Sequence, residues 1–173
     1  MAEGKRRPRV LVIDDGEVYA DTVAREMPEF SLVKVDGMAR IADGRTAVAF
    51  FARKRRPAVD LVLLDMRFQV EEQRLLPLPG ATPRQRQRFQ GLAILREIRH
   101  RAPGLPVVVL TKLEDLDRAG LYPDQGDQSI TFLSGGDDLE EMIGAGDLDL
   151  LRSRMHGALR QARQELDDGE VLW

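Results

Sequence analysis

Cysteine is absent from all 173 residues, which excludes disulfides, zinc-thiolate centres and thiol nucleophiles together and is compatible with the cytosol. Long apolar runs are missing too. The longest, such as Val107 to Leu110 and Leu61 to Leu64, fall far short of the ~20 residues that a bilayer span requires. The opening MAEGKRRPR passes at once into a strand-like run, so neither a signal peptide nor a membrane anchor is expected and a cytoplasmic location is. An excess of charge of one sign is also lacking. Twenty-six Lys and Arg stand against 29 Asp and Glu, for a net charge of -3, which gives no reason to expect nucleic acid or an anionic membrane as partner.

What is present is enough for one core: 43% of the residues are hydrophobic, and the length fits one domain with a modest appendage. Arg9 to Asp15, RVLVIDD, is a β-branched apolar run ending in two acids, the mark of a strand buried on both faces. A first helix is expected from Glu17 to Glu29, with Ala20, Val23, Ala24 and Met27 at helical spacing and Pro28 at its end. Ser31 to Val35 reads as a short strand. Arg45 to Arg56 reads as a second helix stopped by Pro57, with Lys54, Arg55 and Arg56 placed to favour its dipole.

Asp60 to Phe68, DLVLLDMRF, is a second buried strand, and Pro106 to Thr111, PVVVLT, a further one. Between them a helix is expected from Gly91 to Ala102, stopped by Pro103 and Gly104. An irregular helical segment within 112–127 and a short strand from Ser129 to Leu133 follow. The last element, Asp147 to Leu166, carries a stripe of Leu148, Leu151, Met155, Leu159, Ala162 and Leu166. Strand and helix alternate five times, which predicts a single doubly wound α/β domain: a five-stranded parallel sheet with helices on both faces.

In such sheets the functional crevice lies beyond the carboxyl ends of the strands. The polar residues ending the three strongest strands are Asp14 with Asp15, Asp65, and Thr111. One Asp after an apolar strand is commonly a cap or turn residue; three converging carboxylates repel and call for a divalent cation or a proton. An oxygen-only ligand set suits Mg2+, and a cation there would neutralise an incoming phosphoryl group. Asp65 is then a candidate carboxylate nucleophile. His100 and His156 have no second ligand at metal spacing and read as surface or packing residues. Gly135 and Gly136 read as a turn.

The stretches RVLVIDD, DLVLLDMRF, GLAILREIR and PVVVLT, in that order over roughly Arg9 to Leu166, resemble the CheY-like receiver domains of two-component signalling. The resemblance implies strand order 2-1-3-4-5, with CheY itself an example of that order. It implies a non-enzymatic phosphorelay module in which Asp65 is the phosphoacceptor. Asp14, Asp15, Asp65 and the backbone carbonyl of Arg67 would hold Mg2+, and Thr111 and Phe132 would be the switch pair. The partners implied are a histidine kinase or phosphotransfer protein upstream and a protein partner or fused output domain downstream, with a homodimer left open. On this reading 1–8 is an N-terminal tail, 9–166 the receiver domain and 167–173 a C-terminal tail or linker, ending either a stand-alone regulator or the front part of a longer protein.

Two departures qualify the resemblance. The family carries Lys-Pro just after its fifth strand, whereas this chain reads TFLSGGDD with Gly135 and Gly136 there; the lost charge-assisted contact is worth ~1.5 to 3 kcal/mol. Candidates to replace its charge are Lys112, beside Thr111, and Arg84, Arg86 and Arg88. The arginines belong to the second departure, an insertion over 69–90 in place of a short loop, which reads either as a solvated segment or as a lid or docking element. Its Leu75, Leu76 and Leu78 would pack on the body or on a partner. A phosphorylation-independent pseudo-receiver, binding a partner through its insertion or last helix, is therefore the alternative. An aspartate phosphatase is disfavoured because Asp65-Met66-Arg67 lacks a second acid two positions on.

Overall fold

Alternation along the buried runs decides which side chain meets which layer. In a computed structural model, which describes residues 6–111, 130–133 and 148–167, β1 (Arg9–Ile13), β2 (Ser31–Leu32), β3 (Leu61–Asp65), β4 (Val107–Leu110) and β5 (Ile130–Leu133) form one parallel sheet in the order β2-β1-β3-β4-β5. Leu11, Ile13, Val62, Leu64, Val107 and Val109 point to one face, with Phe50, Ile94 and Ile98. Val10, Val12, Leu61, Leu63, Val108 and Leu110 point to the other, with Val23, Leu151 and Met155. The first face is covered by α2 (Gly44–Ala52) and α4 (Gln90–Arg101), the second by α1 (Val18–Glu26) and α5 (Asp149–Asp167). No helix among the described residues is long and apolar enough to cross a membrane.

Two expectations are corrected and one left open is decided. The strand expected over Ser31 to Val35 pairs only through Leu32. Asp36 and Gly37, with φ of 51° and 83°, then turn the chain back so that Val35 and Met38 exchange backbone hydrogen bonds; Asp-Gly supplies the positive φ values such a turn requires. Pairing with β1 resumes at Ile41, opposite Ile13.

The second helix stops at Ala52 rather than running to Arg56. Arg53 adopts extended dihedrals, so Lys54, Arg55 and Arg56 lie past the last turn instead of within it. The alternatives left open for 69–90 are decided in favour of a packed segment, with Leu75, Leu76 and Leu78 on the body of the domain. A 3-10 turn at Glu72–Arg74 and α3 (Pro83–Arg88) lie within it. Thr82 and Gln85 form a capping box, with Pro83 opening the helix. Leu75, Leu76 and Leu78 are buried in the α2/α4 core, each contributing ~1.5 to 3 kcal/mol by area.

Polar contacts pin this segment as well. Gln90, fully buried, accepts from the Leu76 N–H at 2.6 Å and donates to the carbonyls of Leu76 and Arg86 at 3.3 Å. Asp43 caps α2 through the Thr46 N–H and receives Arg74 at 2.8 Å, which ties the 3-10 turn to α2. Gly44 stands where it does because a Cβ there would come within 2.4 Å of Gln90 Oε1.

The irregular segment expected within 112–127, the Gly135-Gly136 turn, Lys112 and the tail from Asp168 lie outside the described residues.

Candidate functional site

β1 and β3 are adjacent, with Ile13 paired to Leu64, so the next residues in each strand emerge together at the carboxyl edge. Those residues are Asp14 and Asp65. Asp14 is 4% exposed, while Asp15 and Asp65 are half-buried. One oxygen from each of the three carboxylates lies within 4.8 Å of the other two.

Backbone N–H groups orient all three. Asp65 Oδ1 accepts from Met66 at 2.8 Å, Asp14 Oδ1 from Gly16 at 3.1 Å, and Asp15 Oδ2 from Gln69 at 2.8 Å. The last bond joins the site to the start of the packed insertion. A second junction lies behind Asp65. The Gly91 N–H donates to the Met66 carbonyl at 2.9 Å, and a Cβ on Gly91 would come within 2.4 Å of the Asp65 carbonyl oxygen. Only glycine lets α4 begin this close to the end of β3.

Burial pushes the Asp65 carboxyl up to about 8, with the charges of Asp14 and Asp15 adding to the rise against the Met66 N–H. Burial likewise raises Asp14 to about 6, opposed by the Gly16 N–H and reinforced by the charge of Asp15. Among the described residues no Lys or Arg ion-pairs with any of the three. Carboxylates gathered without a basic partner among the described residues, offering hard oxygen donors at the separation of one ion's ligands, fit a divalent cation such as Mg2+.

No protein-family model matches the sequence, and comparison with curated proteins also finds no match. Solved structures do match. The crystal structure of an adenylate cyclase from Rhodopirellula baltica superposes with a TM-score of 0.57 at 18% identity, over 95% of this chain and 96% of that one. The signal receiver domain of an HD domain-containing protein from Pseudomonas fluorescens Pf-5 gives 0.54 at 22% identity, over 96% and 97%. This chain has the fold of a receiver domain. NtrX from Brucella abortus, solved in complex with ATP, gives 0.53 at 21% identity over 95% of this chain, which spans 29% of that longer protein.

On the receiver fold the remaining sequence candidates fall as follows. Thr111 directly follows Leu110, the β4 residue paired with Asp65. Phe132 lies on β5 in register with Val109. Arg67 is exposed two residues past Asp65. Of the insertion arginines, Arg86 pairs with Glu72 and Arg88 lies over the Phe89 ring, 5.5 Å from its centroid, while Arg84 is exposed. Neither histidine meets a metal-type cluster among the described residues; His156 instead stacks on Phe30 at 4.9 Å and lies 3.6 Å from Glu29.

Several residues at this edge escaped the sequence reading. Gly91, Gln90 and the Asp43–Arg74 pair acquire their roles only through tertiary contact. Arg40 carried one usable signal, the Asp36-Gly37 turn just before it, which marks an interruption of β2.

Proposed function

We propose that this receiver-fold domain accepts a phosphoryl group on Asp65 in a two-component phosphorelay and signals through changed binding of a partner. The observation that carries the reading is the gathering of Asp14, Asp15 and Asp65 oxygens within 4.8 Å at the carboxyl edge of a receiver-type sheet.

Asp65 supplies the nucleophile: a carboxylate oxygen attacks phosphorus, the bond from phosphorus to the imidazole nitrogen of a donor phosphohistidine breaks, and the nitrogen keeps the electron pair. The Met66 N–H holds Oδ1 of Asp65, which leaves Oδ2 to attack. Mg2+ bound by Asp14, Asp15, Asp65 and the Arg67 carbonyl would offset the gathered negative charge and draw charge from the phosphoryl oxygens. Thr111 and Phe132 are the proposed switch pair, the hydroxyl bonding the acyl phosphate and the ring following it. The upstream partner is a histidine kinase or phosphotransfer protein.

Incubation with acetyl phosphate and Mg2+, followed by intact mass, tests this. The wild type is expected to gain one phosphoryl group and Asp65→Asn none.

A second reading is favoured by the lack of a basic partner for the three acids among the described residues: a pseudo-receiver that binds a partner through its insertion or last helix without phosphorylation. Wild type that stays unlabelled by acetyl phosphate and unchanged by beryllofluoride, yet retains its partner, would favour it.

A further inference from the structure

Beside Asp14 the sheet edge is not held by regular strand pairing. The register of β2 on β1, Arg9 to Ser31 and Val10 to Leu32, would bring Val35 opposite Ile13, but Ile41 pairs there instead. Ile41 donates to the Val12 carbonyl and accepts from the Asp14 N–H, both at 2.9 Å. In a continuing parallel strand the next donor, onto the carbonyl of Asp14, would be the Asp43 N–H. Asp43 is already the extended N-cap of α2, and its N–H does not make that bond. The carbonyl is satisfied by a side chain: Nη1 of Arg40 donates to it at 3.2 Å.

The Arg40 side chain is only 15% exposed, and its acidic neighbour is Glu17, 3.8 Å away and 73% exposed. A long, solvated pair of that kind contributes little, so the bond to Asp14 is the contact that holds the guanidinium. Asp14 thus has its N–H and its carbonyl gripped from the β2 side, one by Ile41 and one by Arg40, while its buried carboxylate turns into the acidic cluster.

We propose that Arg40 is a positioning residue for the acidic site: by holding the Asp14 carbonyl it fixes the direction of the Asp14 carboxylate, and so sets the affinity of the three acids for a divalent cation. The inference rests on the cation site of the proposed function. It also assigns a purpose to the interruption of β2, because the turn at Asp36 and Gly37 is what brings Arg40, rather than a backbone amide, to this carbonyl.

Mg2+ titration calorimetry on the full chain, together with amide hydrogen exchange of Asp14 in the metal-free protein, tests it. Arg40→Met keeps the aliphatic stem and removes the donor; it is expected to weaken Mg2+ binding by roughly tenfold or more, the usual cost of losing a group that orients a ligand, and to speed exchange of the Asp14 amide. Arg40→Lys, which keeps a donor and the charge, is expected to recover most of the affinity, and Glu17→Gln to stay within about twofold of wild type. Arg40→Ala serves if the methionine variant does not fold.

Unchanged affinity and exchange in the donor-free variant, beside a wild type that binds Mg2+, would overturn the positioning role while leaving the cation site standing. A tighter Mg2+ complex in Arg40→Met would overturn it too, by showing that Arg40 acts as a repelling charge. A wild type that binds no Mg2+ would overturn the cation reading, and with it the purpose given to Arg40, whatever the exchange data show.

Discussion

Asp65→Asn removes one charge from the acidic edge and keeps an oxygen to accept the Met66 N–H, so it isolates electrostatics from geometry. Two unit charges at the 4.8 Å upper limit of the cluster's oxygen separations repel by about 3.5 kcal/mol at an effective dielectric of ~20. The rise of the Asp65 carboxyl from 3.8 to about 8, at ~1.4 kcal/mol per pH unit, sets a ceiling of about 6 kcal/mol with burial included. The sign follows from proton linkage. The folded protein keeps a proton that the unfolded chain loses above pH 4, so this group's contribution is complete below about pH 4 and is lost as pH rises through about 8. Urea unfolding without divalent cations, at intervals from pH 4 to pH 9, reads the effect directly. The variant should match wild type at the acid end, gain on it steadily, and exceed it by about 3 to 6 kcal/mol at the alkaline end. Saturating Mg2+ should narrow the gap, since a ligand at a hundred times its Kd adds about 2.7 kcal/mol to the wild type. A variant no more stable than wild type at pH 9, or a wild type whose stability climbs from pH 6 to pH 9, would refute the account of a buried, mutually repelling carboxylate cluster.

Three further outcomes follow from the packing around the site. Gly91→Ala places a methyl against backbone at the end of β3 and should cost about 1 to 3 kcal/mol in urea unfolding; it should also weaken Mg2+ binding by displacing Asp65. Gln90→Leu strands the buried N–H and carbonyl of Leu76 and should cost about 1 to 3 kcal/mol, with proteolysis of the 69–90 segment accelerating in parallel. Arg74→Ala removes a partner of the buried Asp43: burial pushes that carboxyl up, but the Thr46 N–H and hydroxyl and Arg74 outweigh it and hold the carboxyl below its usual range. That loss should be about 1 kcal/mol at neutral pH, because Arg74 is half exposed, and should shrink as pH falls below the ordinary carboxylate value and through the depressed folded one.

The sheet was legible because parallel strands buried on both faces must be written as unbroken apolar runs. RVLVI, LVLLD and VVVL could belong to little else. The acidic edge was legible for a related reason: a charged residue ending such a run lies where the strand leaves the core, so Asp14 and Asp65 were readable from position alone. The insertion was left open because composition reports solubility, not docking. Gln, Pro and Arg dominate its exposed positions, and Leu75, Leu76 and Leu78 are too close together to show a period. β2 was misread because Val33 and Val35 are buried in an excursion as they would have been in a strand.

The sequence by itself determined the alternation of strands and helices, the doubly wound sheet and the grouping of three carboxylates at one edge, because each follows from local burial pattern and the chain's order. Only the tertiary structure decided what surrounds those carboxylates: the insertion folded onto α2 and α4, Gly91 against the Asp65 carbonyl, and Arg40 on the carbonyl of Asp14. These are contacts between residues far apart in the chain or across an irregular turn, where no periodicity exists to be read, and they arise because every buried N–H and carbonyl must find a partner in whatever packing the core imposes.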